Sequence, residues 1–180
     1  MSLNRSPAAE VPLIASTGSV LGLLRAGAGC LVAQGTVIRT PRGAVELGAG
    51  SALLENSVAI GTPEHPVSIG QKVVFGHRCI VFGAAVGDLC EIGNGSILLA
   101  GARLGRGCIV GEGTLVRPGA SIADEMVAVG RPARVVRRLN DDDRARLLRL
   151  RSSDLSLPPY LLQPLSGSMA AGAAMGRVYG

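Results

Sequence analysis

The two histidines of the chain are the side chains whose chemistry can be named first. His77 lies in the segment FGHRCIVFGAAVGD, which is otherwise short of polar side chains, and His65 lies in GTPEHP. An imidazole changes its charge near neutral pH, so it can act as a general acid, a general base or a metal ligand. A histidine in such an apolar segment can equally be one more packed, hydrogen-bonded residue, and the sequence leaves both interpretations open.

The cysteines do not add metal ligands to either histidine. Cys30, Cys79, Cys90 and Cys108 form no CxxC pair and no closely spaced set with a histidine, which argues against a zinc ribbon. We predict that they are small, reduced residues of the core.

Composition bounds the class of protein. The 180 residues suit one domain with tails, and a chain that is 47% hydrophobic but only 2% aromatic must build its core from aliphatic residues. The net charge of +5 comes with almost no aromatic side chains for stacking on bases, so we expect no nucleic-acid partner. Because the chain shows neither a run of about 18 to 20 apolar residues nor a secretory leader, we expect no membrane contact and a cytoplasmic location.

A period of six residues runs through most of the chain. Seven consecutive positions at this spacing are aliphatic, with a small residue two places before each, and the same register continues upstream in blocks. The seven are Val86, Ile92, Leu98, Leu104, Val110, Val116 and Ile122, and the upstream positions are Leu31, Val37, Leu47, Leu53, Ala59, Ile69, Phe75 and Val81.

This period fits neither a helix nor an isolated strand, but it suits short strands separated by regular corners. Hexapeptide repeats are the signature of a parallel β-helix, in which each large aliphatic residue and its small predecessor point inward. The repeat predicts an all-β fold of about six coils, since three hexads make one coil. Breaks in register at residues 40–44 and 61–66 predict two loops, and loops on a rigid scaffold are where sites tend to lie.

The repeat divides the chain into an N-terminal segment (1–25), the β-helix (26–130), a linker with a C-terminal α-helix (131–152) and a tail (153–180). Asn140 is the predicted N-cap, because three aspartates follow it and arginines lie farther along. The tail is predicted to be extended or to dock on a partner. The leucines predicted to lie against the coils are Leu139, Leu147, Leu148 and Leu150.

Three segments carry a resemblance to a known family. They resemble the γ-class carbonic anhydrase branch of the hexapeptide-repeat proteins, and the likeness covers about residues 26 to 150. The three segments are PVSIGQKVVFGHRCIVFGAAVGD, GARLGRGCIVGEGTLVRPGASI and GRPARVVRRL. The resemblance implies a left-handed coil, against the usual right-handed rule for crossovers, and a homotrimer with sites between its subunits.

In that family three histidines, drawn from neighbouring subunits, hold a zinc ion. The resemblance places Ile60, His77 and Phe82 at these positions, and neither isoleucine nor phenylalanine donates a lone pair. A catalytic zinc takes three protein ligands and a water, so we expect no metal, no cofactor and no hydration of carbon dioxide. His65 is a candidate replacement ligand from its loop, but two histidines without a third donor make a poor zinc site.

The resemblance leaves three polar residues at family site positions, namely Arg39, Glu55 and His77. As catalytic residues, His77 and Glu55 would exchange a proton and Arg39 would hold an anionic group. The alternative for His77 is a hydrogen-bonded interface histidine. The alternative for Arg39 and Glu55 is a buried ion pair with each other.

Three functions remain open. The first is a small-molecule site at the subunit interface, either binding or catalytic, in which Phe82, Ile60 and His65 contact an organic ligand. The second is a non-catalytic assembly subunit, with the apolar tail from Leu155 to Leu165 as its docking element. The third is acyl transfer from coenzyme A, because many hexapeptide proteins resemble acyltransferases that use one histidine as a base.

Overall fold

The computed structural model describes residues 12–152, 163–164 and 174–175. This part of the chain is mostly β, with short strands and one α-helix, α1 (Asp141–Ser152). The strands in chain order are β1 (Leu13–Ile14), β2 (Ser19–Ala26), β3 (Leu31–Val32), β4 (Val37–Leu47), β5 (Ala52–Leu53), β6 (Val58–Ile60), β7 (Val67–Ile69), β8 (Val74–Phe75), β9 (Ile80–Phe82), β10 (Ala85–Val86), β11 (Glu91–Ile92), β12 (Ile97–Leu98), β13 (Arg103–Leu104), β14 (Ile109–Val110), β15 (Leu115–Val116), β16 (Ser121–Ile122), β17 (Met126–Val129), β18 (Arg134–Arg138), β19 (Gln163–Pro164) and β20 (Ala174–Met175).

The strands stack in parallel into three faces. The first face contains β1, β3, β5, β8, β11, β14 and β17. The second face contains the first halves of β2 and β4, then β6, β9, β12 and β15, and the third face contains their second halves, then β7, β10, β13 and β16. This arrangement confirms the predicted left-handed parallel β-helix of six coils. We call the turns from first to second, second to third and third to first face the first, second and third corners.

The coils differ in length at one corner. Between the paired positions that flank the second corner, the chain runs nine residues from Val37 to Glu46 and ten from Val58 to Ser68, but five from Ile80 to Ala85. The later coils have the regular six. The two insertions coincide with the predicted breaks: the first is a bulge at residues 41–43 inside β4, and the second is the loop 61–66.

The hexad register predicted the inward residues of the later coils. All seven aliphatic positions from Val86 to Ile122 are buried. The prediction is wrong in the second coil, where Val32 rather than Leu31 is in register with the inward-facing Leu53, and Ile38 is likewise inward. Two aliphatic residues stand side by side at each of these places, so a count in sixes cannot choose between them.

The first coil lies inside the segment predicted to precede the β-helix. Strands β1 and β2 pair in parallel with β3 and β4, so the solenoid begins at Leu13 and not at residue 26. The one-residue error in the second coil hid it. Counting back from Val32 gives Ala26, Val20 and Ile14, whereas counting back from Leu31 meets the polar Arg25.

Small polar residues that precede the aliphatic positions bond the coils to one another. Their hydroxyl or thiol groups donate to carbonyl oxygens of the next coil, which satisfies groups that would otherwise be buried without partners. All four cysteines are buried, as predicted, and burial raises the pKa of the Cys30 and Cys79 thiols. The donor–acceptor pairs include Ser51–Gly70 (2.7 Å), Ser57–Gly76 (3.0 Å), Cys90–Gly105 (3.0 Å), Ser96–Gly111 (3.0 Å) and Cys108–Ala123 (3.1 Å).

Helix α1 covers part of the first face. Its N-terminus is closed as predicted by Asn140, whose Oδ1 accepts the Asp143 N–H at 2.8 Å while Asp143 Oδ2 accepts the Asn140 N–H at 3.0 Å, a reciprocal capping arrangement. Leu139 and Leu147 pack on the first face, next to Ile109 and Val127. The prediction for Leu148 is wrong, because 61% of this residue is exposed.

The remaining predictions for this end of the chain fall largely outside the described residues. The Leu150 side chain lies outside them, and so does nearly all of the tail, including the docking element proposed between Leu155 and Leu165. From the tail, β19 pairs antiparallel with β1 and β20 with β2. No helix in the described part is long and apolar enough to cross a membrane.

Candidate functional site

His77 lies at the first corner, between β8 and β9, and faces Glu55 of the preceding coil. Its Nε2 is 3.1 Å from Glu55 Oε2, with 51% of the histidine side chain and 31% of the glutamate side chain exposed. A surface pair of this kind contributes only about 0–1 kcal/mol to stability. A reaction that changes the contact between His77 and Glu55 would therefore change the stability of the fold only a little.

Asn94, one coil after His77, contacts the other nitrogen of the His77 ring, Nδ1. Its Oδ1 accepts the main-chain N–H of His77 at 2.7 Å and lies 3.0 Å from His77 Nδ1. Its Nδ2 donates to Glu112 Oε1 at 3.0 Å. Both contacts fix the same orientation of the amide, because flipping it would set an NH₂ group against a main-chain N–H.

The amide orientation determines where the imidazole carries a proton. Nδ1 faces an oxygen that can only accept, so Nδ1 must hold a hydrogen. With the hydrogen on Nδ1, the Nε2 atom is the ring nitrogen that faces Glu55 Oε2 at 3.1 Å. A protonated His77 ring would donate from Nε2 to this carboxylate.

The contacts form a polar column along the first corner. Glu55, His77, Asn94 and Glu112 occupy four successive coils, each at the first residue of the corner turn. Gly76 permits the close approach, since a Cβ there would lie 2.4 Å from Asn94 Oδ1. Asn94 and Glu112 were not predicted as site residues. The signal was present in the sequence, because GHR, GNG and GEG recur about one coil apart.

A second group of predicted residues lies at the second-corner end of the second face. Arg39, Ile60 and Phe82 are in register on three adjacent coils. Their neighbours Ile38, Ala59 and Val81 are buried, so strand alternation turns this column outward.

His65 joins this second group from the inserted loop. Its ring meets Phe82 edge-on at a centroid distance of 6.3 Å. The chain after Phe82 accommodates the loop at Gly83, where a Cβ would lie 2.4 Å from the His65 Cβ. The shortened corner of this coil is therefore shaped to receive the loop of the preceding one.

The six predicted site residues thus form two groups on a single chain. His77 and Glu55 make one group at the first corner, and Arg39, Ile60, Phe82 and His65 make the other. The predicted alternative of an ion pair between Arg39 and Glu55 does not form within residues 12–152 of one chain, where Glu55 contacts His77 and Arg39 is exposed.

Two of the three residues that the resemblance assigns to zinc-ligand positions have side chains that do not bind zinc. Ile60 and Phe82 present hydrocarbon side chains, and zinc in proteins binds sulfur, nitrogen or oxygen. Within the described ranges, no group of three or more His, Cys, Asp and Glu side chains could hold a metal ion. At the three positions that the resemblance assigns, the chain has one histidine.

Sequence comparison supports the resemblance. The chain is 33% identical over 136 residues to γ carbonic anhydrase 1, mitochondrial, of Arabidopsis thaliana, an alignment that covers 72% of this chain and 50% of that protein. It is 40% identical over 116 residues to a carbonic anhydrase of Geobacillus kaustophilus, covering 64% of each. The chain spans between half and two thirds of the length of these relatives. No family model matches it.

Structural comparison points to the same fold. A hexapeptide transferase family protein from Anaplasma phagocytophilum superposes with a TM-score of 0.65 at 24% identity, covering 78% of this chain and 85% of that one. At this identity the likeness speaks for the fold alone. Taken together, the hexad repeat, the three-faced solenoid and the named relatives show a β-solenoid chain that is similar in sequence to γ carbonic anhydrases.

Proposed function

We propose that this chain has lost the zinc site and carbon dioxide hydration, and that it works as a homotrimer with a metal-independent small-molecule pocket between subunits. The observation that carries the proposal is the His77–Glu55 contact of 3.1 Å, with Nδ1 already bound to Asn94. This pair offers a proton donor or acceptor at a corner where the family would hold part of a metal site.

The separation of the two groups supports a pocket shared by two subunits. Ile60 and Phe82 are neighbours in register, whereas His77 lies at the opposite end of the same face. A ligand would then contact His77 and Glu55 of one subunit and the column of Arg39, Ile60 and Phe82 of the next, as the family's shared sites do.

The chemistry of such a pocket follows from the groups present. The imidazolium of His77 gives its Nε2 proton to a basic atom of the ligand, and Glu55 stabilises the ring when the proton returns. Arg39 is exposed and free to hold an anionic group. Phe82 and Ile60 form the apolar wall, with His65 at its edge. The pocket serves either acid/base catalysis or binding alone.

The outer surface of the second face supports a trimer. Its first column contains Val37, Val58, Ile80, Ile97 and Leu115, all apolar and at least partly exposed in the single chain. The equivalent positions of the third face are Glu46, Ser68, Ala85, Arg103 and Ser121. An apolar face beside a polar one suits an interface between identical subunits in a closed ring.

Metal content tests the loss of the zinc site. Protein purified without added metal should contain well under one zinc per subunit and should hydrate carbon dioxide at the background rate. Elemental analysis and a stopped-flow hydration assay measure these quantities. One zinc per subunit, or hydration above background that a chelator removes, would overturn the proposal.

Light scattering tests the trimer and its face. The wild-type chain should have the mass of a trimer, and Ile80→Glu should reduce it to a monomer because a charge would enter the apolar surface. Ser121→Glu, on the third face, is the matched control and should remain trimeric. A monomeric wild type would contradict the homotrimer, and a trimeric Ile80→Glu variant would show that this face is not the interface.

A non-catalytic assembly subunit is favoured by the same apolar face. As part of a mixed trimer, the purified chain would stay monomeric alone and would form trimers only when mixed with a zinc-bearing relative. As a homotrimeric platform, it would form trimers alone but would bind no small molecule at His77. The mass of the isolated chain therefore separates the homotrimer from the mixed trimer. The cytoplasmic location expected from the sequence stays a prediction in both.

Acyl transfer is favoured by the structural similarity to a hexapeptide transferase family protein and by the single histidine at the first corner. Titration calorimetry with acetyl coenzyme A tests it directly. Saturable binding that His77→Ala does not abolish, together with acetylation of an added amine that it does abolish, would replace the first proposal.

A further inference from the structure

None of the six predicted site residues lines a cleft at the C-terminal end of the solenoid. It has a volume of about 260 Å³ and is lined by Arg117, Ala120, Pro132, Ala133 and Arg134. Arg117 follows β15 at the second corner of the last complete coil, and Arg134 begins β18.

The electrostatics of the cleft are unbalanced. Two guanidinium groups line it and no carboxylate does. In residues 12–152 neither Arg117 nor Arg134 has a side-chain hydrogen bond or an ion pair. Nearby arginines differ, since Arg137 pairs with Asp143 and Arg144 with Glu125. Two like charges directed at one concavity, without an acidic partner, suit an anion.

The walls of the cleft are fixed by the main chain. The Ala133 N–H donates to Leu115 O at 2.8 Å, and the Ala120 N–H donates to Arg117 O at 3.1 Å. Arg134 is held in register against Val129 in the antiparallel pair of β17 and β18. The main chain that carries the two arginines is therefore fixed, and only their side chains must be ordered on binding.

We propose that this cleft binds the phosphate group of a small organic phosphate. Guanidinium groups donate in forked pairs, and a tetrahedral phosphate has enough oxygens to accept from two of them, whereas a carboxylate is filled by one. The volume is just below the range of about 300–1,000 Å³ typical of ligand pockets. It leaves room for a short organic part against Ala120, Pro132 and Ala133.

Titration calorimetry at low ionic strength tests the proposal, with inorganic phosphate, methyl phosphate and acetate as probes at matched salt. Both phosphates should bind the wild-type chain saturably, and acetate should bind at least tenfold more weakly. Arg117→Gln and Arg134→Gln should each weaken phosphate binding by about tenfold or more, the usual effect of losing a charge-assisted hydrogen bond.

Arg103→Gln is the matched control, since Arg103 is an exposed arginine of the third face that does not line the cleft. It should leave phosphate affinity unchanged. The proposal fails if the wild type shows no saturable binding, if acetate binds as tightly as phosphate, or if all three variants lose affinity equally. None of these outcomes bears on His77 and Glu55, so the first proposal is tested separately.

Discussion

The first and third corners of the solenoid use the same device but differ in what is attached to it. At the third corner, Asp88 Oδ1 accepts the main-chain N–H of Gln71 at 2.7 Å, and Asp124 Oδ1 accepts that of Arg106 at 2.9 Å. At the first corner, Asn94 Oδ1 accepts the N–H of His77 at 2.7 Å. In each case a side chain caps the turn of the preceding coil.

The difference lies in the second contact. Among the described residues, Asp88 and Asp124 cap a main-chain group without a side-chain partner. Asn94 caps the same kind of group and also holds the His77 ring, which in turn meets Glu55. The capping function needs neither an amide nor a histidine, as the aspartates show. The ring contacts at the first corner are thus an addition to a structural device, which is why we assign chemistry there.

Replacement of His77 should have the largest effect. His77→Ala should leave the trimer intact, because the core lies in the aliphatic columns, and should lower turnover of a substrate found by screening by about 10² to 10⁴, the usual contribution of a general acid or base. His77→Gln should be equally inactive, since glutamine keeps a hydrogen bond but not the proton. An active glutamine variant, or an alanine variant that dissociates, would reduce His77 to an interface residue.

Removal of the caps should have a moderate effect that separates the two corners. Asn94→Ala and Asp88→Ala should each lower the free energy of unfolding by about 0.5–1.5 kcal/mol, since each removes an exposed hydrogen bond to the main chain. Chemical denaturation measures this. Only Asn94→Ala should also change the nitrogen chemical shifts of His77. An unchanged His77 spectrum in that variant would contradict the role assigned to the amide.

Removal of the Asp143 carboxylate from the cap of α1 should have the smallest effect, and only at acidic pH. Arg137 and the Asn140 N–H lower the pKa of Asp143 from its ordinary 3.8 to about 2. The resulting stabilisation is fully present above the ordinary value and is lost as pH falls through about 2. Helicity measured by circular dichroism should fall there, and Asp143→Asn should lose that acid step. An acid step that persists in the variant would assign it to another group.

The fold was predictable where the repeat is unambiguous. From Val86 to Ile122 each inward aliphatic residue has a small residue two places before it. Some of these aliphatic residues also have no large aliphatic neighbour in the sequence, which fixes the register. At Leu31–Val32 two aliphatic residues compete, so the register slipped by one and the first coil was missed. Strand pairing decides such cases, because Val32 must be in register with Leu53.

The site was only partly predictable. The motif identified His77 and Glu55, and the structure brings them together. It did not identify Asn94, whose role depends on the amide orientation set by a main-chain N–H one coil away. Arg39 and Glu55 are both site positions in the resemblance, so the sequence allows an ion pair between them. Two positions of one family site need not lie in the same column of a face, and the sequence does not specify the column.

Nitrogen NMR of His77 tests the central claim most directly. The chain has only two histidines, so a long-range proton–nitrogen spectrum contains one other imidazole, His65, as an internal reference. We predict a protonated Nδ1, held by Asn94, and ring-nitrogen shifts that stay unchanged when a chelator or a stoichiometric amount of zinc is added. A His77 nitrogen without a proton that shifts on adding zinc and returns on chelation would show that the metal site has been kept.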